Sequence, residues 1–185
     1  MGRCPKGADE VFAPQIERSL NQMGKVLSRF INGWPGTVSR QKDDVIVSLK
    51  NVGAGSIKPG DPVFLKNSVT PGGVQGFIAG TTTENDFVGF AVRVPDKTPE
   101  TWGSDQQEWK AGDVLDVLVR GSIVVPFGTS SPKIGNPVYI RKSDSVLVSA
   151  AGSEGTTVPV PDTYVRTARD SACNVEIVVT KRHLQ

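Results

Sequence analysis

From Asp44 onward the chain is a succession of short runs rich in Val, Ile, Phe and Tyr, each stopped by Gly, Pro, Asn or Asp. The runs are Val45–Leu49, Val63–Lys66, Val74–Ala79, Phe87–Val94, Val114–Val119, Ser122–Val125, Val138–Arg141, Val146–Ser149, Tyr164–Thr167 and Val175–Thr180. Ten such segments with no helical period between them predict a mainly β fold, a small β-barrel or sandwich, because each strand must bury one face against other strands. The last run shows the alternation best. Val175, Ile177 and Val179 alternate with Glu176, Val178 and Thr180, as a strand with one buried face requires.

A short repeat punctuates these runs: Lys58-Pro59-Gly60-Asp61, Lys110-Ala111-Gly112-Asp113 and Lys133-Ile134-Gly135-Asn136, each directly before a strand. Glycine tolerates positive φ, and Asp or Asn can bond nearby backbone, so the repeat predicts a turn that launches a strand. Pro62 and Pro137 follow two of the three turns, where a missing N–H is tolerated at a strand start or edge.

The first forty-odd residues obey a different period. Phe12, Ile16, Leu20, Met23, Leu27 and Phe30 recur at steps of four and three, which predicts an amphipathic helix, with Pro14 in its first turn and Asn32-Gly33 as its stop. Trp34-Pro35-Gly36 then forces a turn. The expected organisation is an N-terminal helical arm, residues 1–43, and a β core domain, residues 44–185. The helix stripe has two candidate destinations, the chain's own core or another subunit. Phe12, Ile16, Leu20, Phe30 and Trp34 are therefore candidate interface residues. So are Trp102 and Trp109, which lie in the polar, turn-rich stretch Pro95–Lys110 and either cap the barrel or meet a partner. The stretch Ala150–Asp162, rich in Gly, Ser, Thr and Pro, reads as an exposed loop.

Chemistry is hard to place. A Ser or Cys nucleophile most often needs a His base, and His183 is the one histidine in the sequence. Cys4 and Cys173 have neither disulfide-framework nor metal-ligand spacing. Asp43-Asp44 and Asp113 with Asp116 match no cation loop, and nothing singles out a catalytic pair among Glu84, Asp86, Glu100 and Asp105. We therefore expect no catalytic, cofactor-binding or metal-binding residues, and no cofactor. Twenty-one basic residues against nineteen acidic ones, scattered rather than striped, argue against nucleic acid as a partner. No apolar run approaches membrane-spanning length and no secretory leader is expected, so synthesis in a reducing compartment and no membrane partner are the expectation.

Several stretches, in order along the chain, resemble the cement, or capsid decoration, proteins of tailed phages. Ile57-Lys58-Pro59-Gly60-Asp61-Pro62-Val63 is similar to the family's early glycine-aspartate turn, and Phe87-Val88-Gly89-Phe90-Ala91 to its Gly-x-Ala strand. Gly112-Asp113 with Val117-Leu118-Val119-Arg120-Gly121 resembles the turn, strand and glycine that follow. Lys133 to Tyr139, Ala168 to Ser171 and Val175 to Val179 resemble the closing half. The similarity runs from about Asp44 to Thr180, while the N-terminal segment and the two-Trp loop depart from the family's short core. The resemblance implies a small β-barrel that assembles as a homotrimer on the outer surface of the virion capsid, with the major capsid protein as partner and no catalytic residues. A rival expectation is a tail or fibre adhesion module, in which Trp102 and Trp109 would stack on glycans.

Overall fold

The structure, a computed structural model, describes residues 32–66, 73–94, 107–128 and 131–181. The helical arm expected over Phe12 to Phe30, including Ile16 and Leu20, lies outside the described residues, as does Trp102. Among the described residues the one helical element is a 3-10 turn, Glu84–Asp86.

Nine strands are formed: β1 (Val38–Asn51), β2 (Pro62–Leu65), β3 (Gly73–Gly76), β4 (Phe87–Ala91), β5 (Val114–Pro126), β6 (Pro137–Arg141), β7 (Leu147–Val148), β8 (Thr157–Val165) and β9 (Asn174–Val179). They build one sheet in the order β1-β3-β2-β4-β5-β9-β8-β6-β7. β1 also pairs with β5, so β1, β3, β2, β4 and β5 complete a circuit of pairings while the other four strands run outward to β7. The expected barrel is corrected accordingly: the nine-stranded sheet as a whole is not a closed barrel, because β7 pairs with β6 alone.

Two apolar clusters lie on opposite faces of the central strands. Val63, Val88, Ala91, Leu115, Val117 and Val119 belong to the cluster enclosed by the five-strand circuit. Their neighbours Phe64, Phe87, Phe90 and Leu118 point into the larger cluster, which the outer strands cover with Val138, Ile140, Val160 and Ile177. Every residue of β4 is buried. This two-sided burial explains why β4 reads as a continuous apolar run without alternation.

Two expected strands, Val114–Val119 and Ser122–Val125, are a single strand bent at Gly121, which has φ +125°. Across this bend the odd-numbered residues change clusters, from Leu115, Val117 and Val119 to Ile123 and Val125. The partner strand accommodates the bend by slipping register between Arg40 and Val45.

The expected loop Ala150–Asp162 is also corrected, since its second half opens β8. Pro159 and Pro161 disguise it. Lys142 N donates to Thr156 O at 2.9 Å, and with Ile140 opposite Val158 and Val138 opposite Val160, those even-numbered residues bond β6. Pro159 and Pro161 therefore turn their nitrogens away from β6, on a stretch that pairs with no other strand, where no donor is needed.

The three repeats fold alike. Asp61 N donates to Lys58 O at 3.0 Å, Asp113 N to Lys110 O at 3.1 Å and Asn136 N to Lys133 O at 3.0 Å. The intervening Gly60, Gly112 and Gly135 have φ of +85°, +95° and +86°, the signature of a type II turn. Each acidic or amide side chain returns a bond, accepting from Lys58 N at 2.8 Å, Lys110 N at 3.0 Å and Lys133 N at 2.7 Å.

Candidate interaction surface

Trp34 is placed by a fourth turn. Thr37 N donates to Trp34 O at 3.0 Å, with Pro35 and Gly36 at the two central positions and φ +80° at Gly36. Gly36 is wedged where three segments meet: its N–H donates to Val124 O at 2.7 Å, and its carbonyl accepts from Arg93 N at 2.8 Å. A Cβ there would fall 2.6 Å from Pro59 Cβ and 2.8 Å from Arg93 N, so no side chain fits. Just upstream, Asn32 Nδ2 donates to Asn174 O at 2.9 Å and Ala168 O at 3.0 Å, and Asn174 Nδ2 donates back to Gly33 O at 3.1 Å. These bonds fasten the start of the described chain to the β8–β9 end of the sheet.

Beside Trp34 opens a hollow of about 280 Å³, walled by Trp34 and the prolines Pro35, Pro59 and Pro126 and carrying Lys58, Asp61 and Arg93. The Arg93 guanidinium carbon lies 5.1 Å from the centroid of the Trp34 ring, a cation–π contact. Gln107 also lines the hollow and donates from Nε2 to Val94 O at 2.8 Å. Burial pushes the Asp61 carboxyl up from 3.8 to about 6, against the lowering effects of the Lys58 N–H bond and the Lys58 charge.

A pH dependence follows. The native state holds the Asp61 proton more tightly than the unfolded chain, so this group favours folding most below about pH 4, and that contribution is lost as pH rises through about 6. Asp61→Asn is expected to keep the turn, since Asn136 makes the same bond in the third repeat. It is also expected to raise the melting temperature at pH 7 and to flatten the wild-type fall in stability between pH 4 and 6.5. Melting curves of the two proteins across that range check it; parallel curves would contradict it.

A second hollow, about 300 Å³, sits at the Gly121 bend and is lined by Asp43, Asp44, Arg120, Ser122 and Arg166 among others. Burial raises the Asp44 carboxyl, the bond from the Ser122 backbone opposes it, and the Asp43 charge adds to the rise. Arg166 donates to Ser122 Oγ at 2.9 Å and lies 3.8 Å from Glu176, which also accepts from Ser39 Oγ at 2.8 Å. These contacts tie β1, β5 and β9 together across the bend. Asp116 accepts from Ser48 Oγ at 2.6 Å, and Asp113 caps its turn. Among the described residues no group of three His, Cys, Asp or Glu side chains is arranged to hold a metal ion, and no helix is long and apolar enough to cross a membrane.

Of the candidate interface residues, Phe12, Ile16, Leu20, Phe30 and Trp102 lie outside the described part. Trp34 is partly exposed at the rim of the first hollow. Trp109 is only 2% exposed, packs in the smaller cluster and pairs its backbone with Ile57 at 2.8 and 3.0 Å, so its ring does not reach this chain's surface. Arg93 and Lys58 carried no sequence signal for a site, because their approach to Trp34 depends on the non-local bonds of Gly36.

The chain matches the family described as "Structural cement protein (E217 gp24/Pam3 gp6)" over residues 26–180. Among solved structures it is similar to a chain described as "The capsid of Myoviridae Phage XM1", with a TM-score of 0.63 at 17% identity, covering 82% of this chain and 92% of that one. At that identity the likeness speaks for the fold. Comparison with curated proteins gives no match. The family match takes in every described strand, β1 through β9, and so agrees with the order of turns and strands read above: the chain belongs to the phage structural cement proteins and is a structural component of the virion capsid.

Proposed function

We propose that this chain decorates the outer surface of the phage head, binding the major capsid protein as a homotrimer at threefold or quasi-threefold positions and bracing neighbouring shell subunits. The observation that carries the reading is the family match over residues 26–180. The physics is that of avidity. A modest contact repeated by symmetry makes simultaneous release from several subunits costly, and the work needs a stiff scaffold with well-placed anchors rather than a reacting group. No catalytic role belongs to this reading. The glycan-stacking alternative loses one of its two rings, since Trp109 is buried in the chain's own core.

Light scattering tests the assembly and heating tests the bracing. The expected mass in solution or on the shell is about 59 kDa, three times the 19.7 kDa chain. Shells lacking the protein should rupture at a lower temperature than shells to which it is restored. A chain that stays monomeric and leaves the rupture temperature unchanged would overturn the proposal.

A further inference from the structure

We propose that the hollow beside Trp34 is the docking pocket for an acidic, extended segment of the shell subunit, with a carboxylate side chain received between Lys58 and Arg93. This rests on the reading of the chain as a decoration protein and names the chemistry of its contact.

Three observations lead there. The first is what the walls are made of. Pro35, Pro59 and Pro126 contribute rigid apolar surface, and Trp34 adds an indole face held under Arg93. Such residues lose little conformational freedom on binding, and Trp and Arg dominate the energetic centres of interfaces.

The second is charge. Among the described lining residues two cations face one acid, Asp61, whose Oδ2 already accepts from Lys58 N at 2.8 Å. The remaining field is positive and suits a carboxylate, which a guanidinium can take through two parallel bonds. Nucleic acid fits poorly, because two cations in a proline-walled hollow do not track a phosphate backbone.

The third is size and stiffness. About 280 Å³ admits one or two side chains, as a protruding, extended segment of a partner would offer them. The hollow is assembled before any partner arrives. The bonds Gly36 N to Val124 O at 2.7 Å, Arg93 N to Gly36 O at 2.8 Å and Gly60 N to Ala91 O at 2.8 Å fix its walls. Preorganisation of this kind removes part of the ordering cost of association.

Co-sedimentation of the full chain with shells assembled without it tests the pocket, using wild type, Lys58→Gln, Lys58→Glu and Arg93→Glu, each first checked for a cooperative melt. The expected result is a loss graded with charge: a few-fold for Lys58→Gln, and tenfold or more for Lys58→Glu and Arg93→Glu. Wild-type binding should also weaken as salt rises. Should Arg93→Glu fail to fold, the Lys58 pair carries the test, because that side chain is exposed and its turn is held by the backbone. Wild type binding while every folded variant binds equally would overturn the pocket and leave the decoration role standing. Wild type failing to bind any shell would overturn the decoration role, and the pocket's partner with it.

Discussion

Gly89→Ala is expected to destabilise the protein by about 3–5 kcal/mol, enough to unfold much of the population of an ordinary domain. A Cβ at this position would lie 2.1 Å from Leu118 O, 2.8 Å from Leu118 C and 3.0 Å from Val117 Cγ1. The obstruction is mainly backbone of β5, which is paired on its other side with β1 and so cannot give way. Nor can β4 retreat, because it is buried along its whole length and bonded to β2. The strand carries a register shift against β2 here, so the small residue lets Phe87 and Phe90 reach one cluster while Val88 and Ala91 reach the other. Urea titration should show a lower midpoint with little change in slope. Gly76→Ala is the control: its Cβ would meet only Ile57 Cγ1, at 3.8 Å, and a change within about 1 kcal/mol is expected. Equal effects at the two positions would contradict the close-packed crossing of β4 and β5.

The second large effect is Trp109→Ala, expected to cost about 3–5 kcal/mol of stability. The ring is among the largest fully buried side chains and fills the cluster bounded by Ile57, Val63, Val74 and Leu115. The backbone pairing with Ile57 and the bond from Asn51 Nδ2 to Trp109 O, at 3.0 Å, do not use the side chain, so truncation keeps them while it removes the packing of the ring and leaves a cavity. Thermal melts should show a marked drop. A variant with wild-type stability but poor shell binding would instead make Trp109 an exposed anchor and contradict its position in the core.

Much of the fold was legible because its signals are local. Short β-branched runs marked the strands, and the Lys-x-Gly-Asp/Asn repeats marked three launching turns whose hydrogen bonds are closed within four residues. Trp34-Pro35-Gly36 was legible as a turn for the same reason. What escaped was non-local or disguised. Gly121 looked like a break between strands, but it bends one strand between two cores. Pro159 and Pro161 suggested a loop, whereas their nitrogens face a side that needs no donor. The circuit of five strands depends on β1 pairing with both β3 and β5, which no local pattern encodes.

The same division governs the candidate site. Trp34 stood out as an aromatic next to a turn, but Lys58 and Arg93 lie far along the chain and reach it only through the wedge at Gly36. Trp109 looked like part of a polar loop because its neighbours in sequence are polar. Its neighbours in space, Ile57 and Leu115, come from elsewhere in the chain.

The most direct test of the capsid-decoration account is a cryo-electron microscopy reconstruction of the mature particle. The account predicts density for this sheet on the outer face of the head, three copies around each threefold or quasi-threefold position, with the Trp34 hollow turned toward the shell. Density confined to the tail, or a head whose outer face carries none, would contradict it.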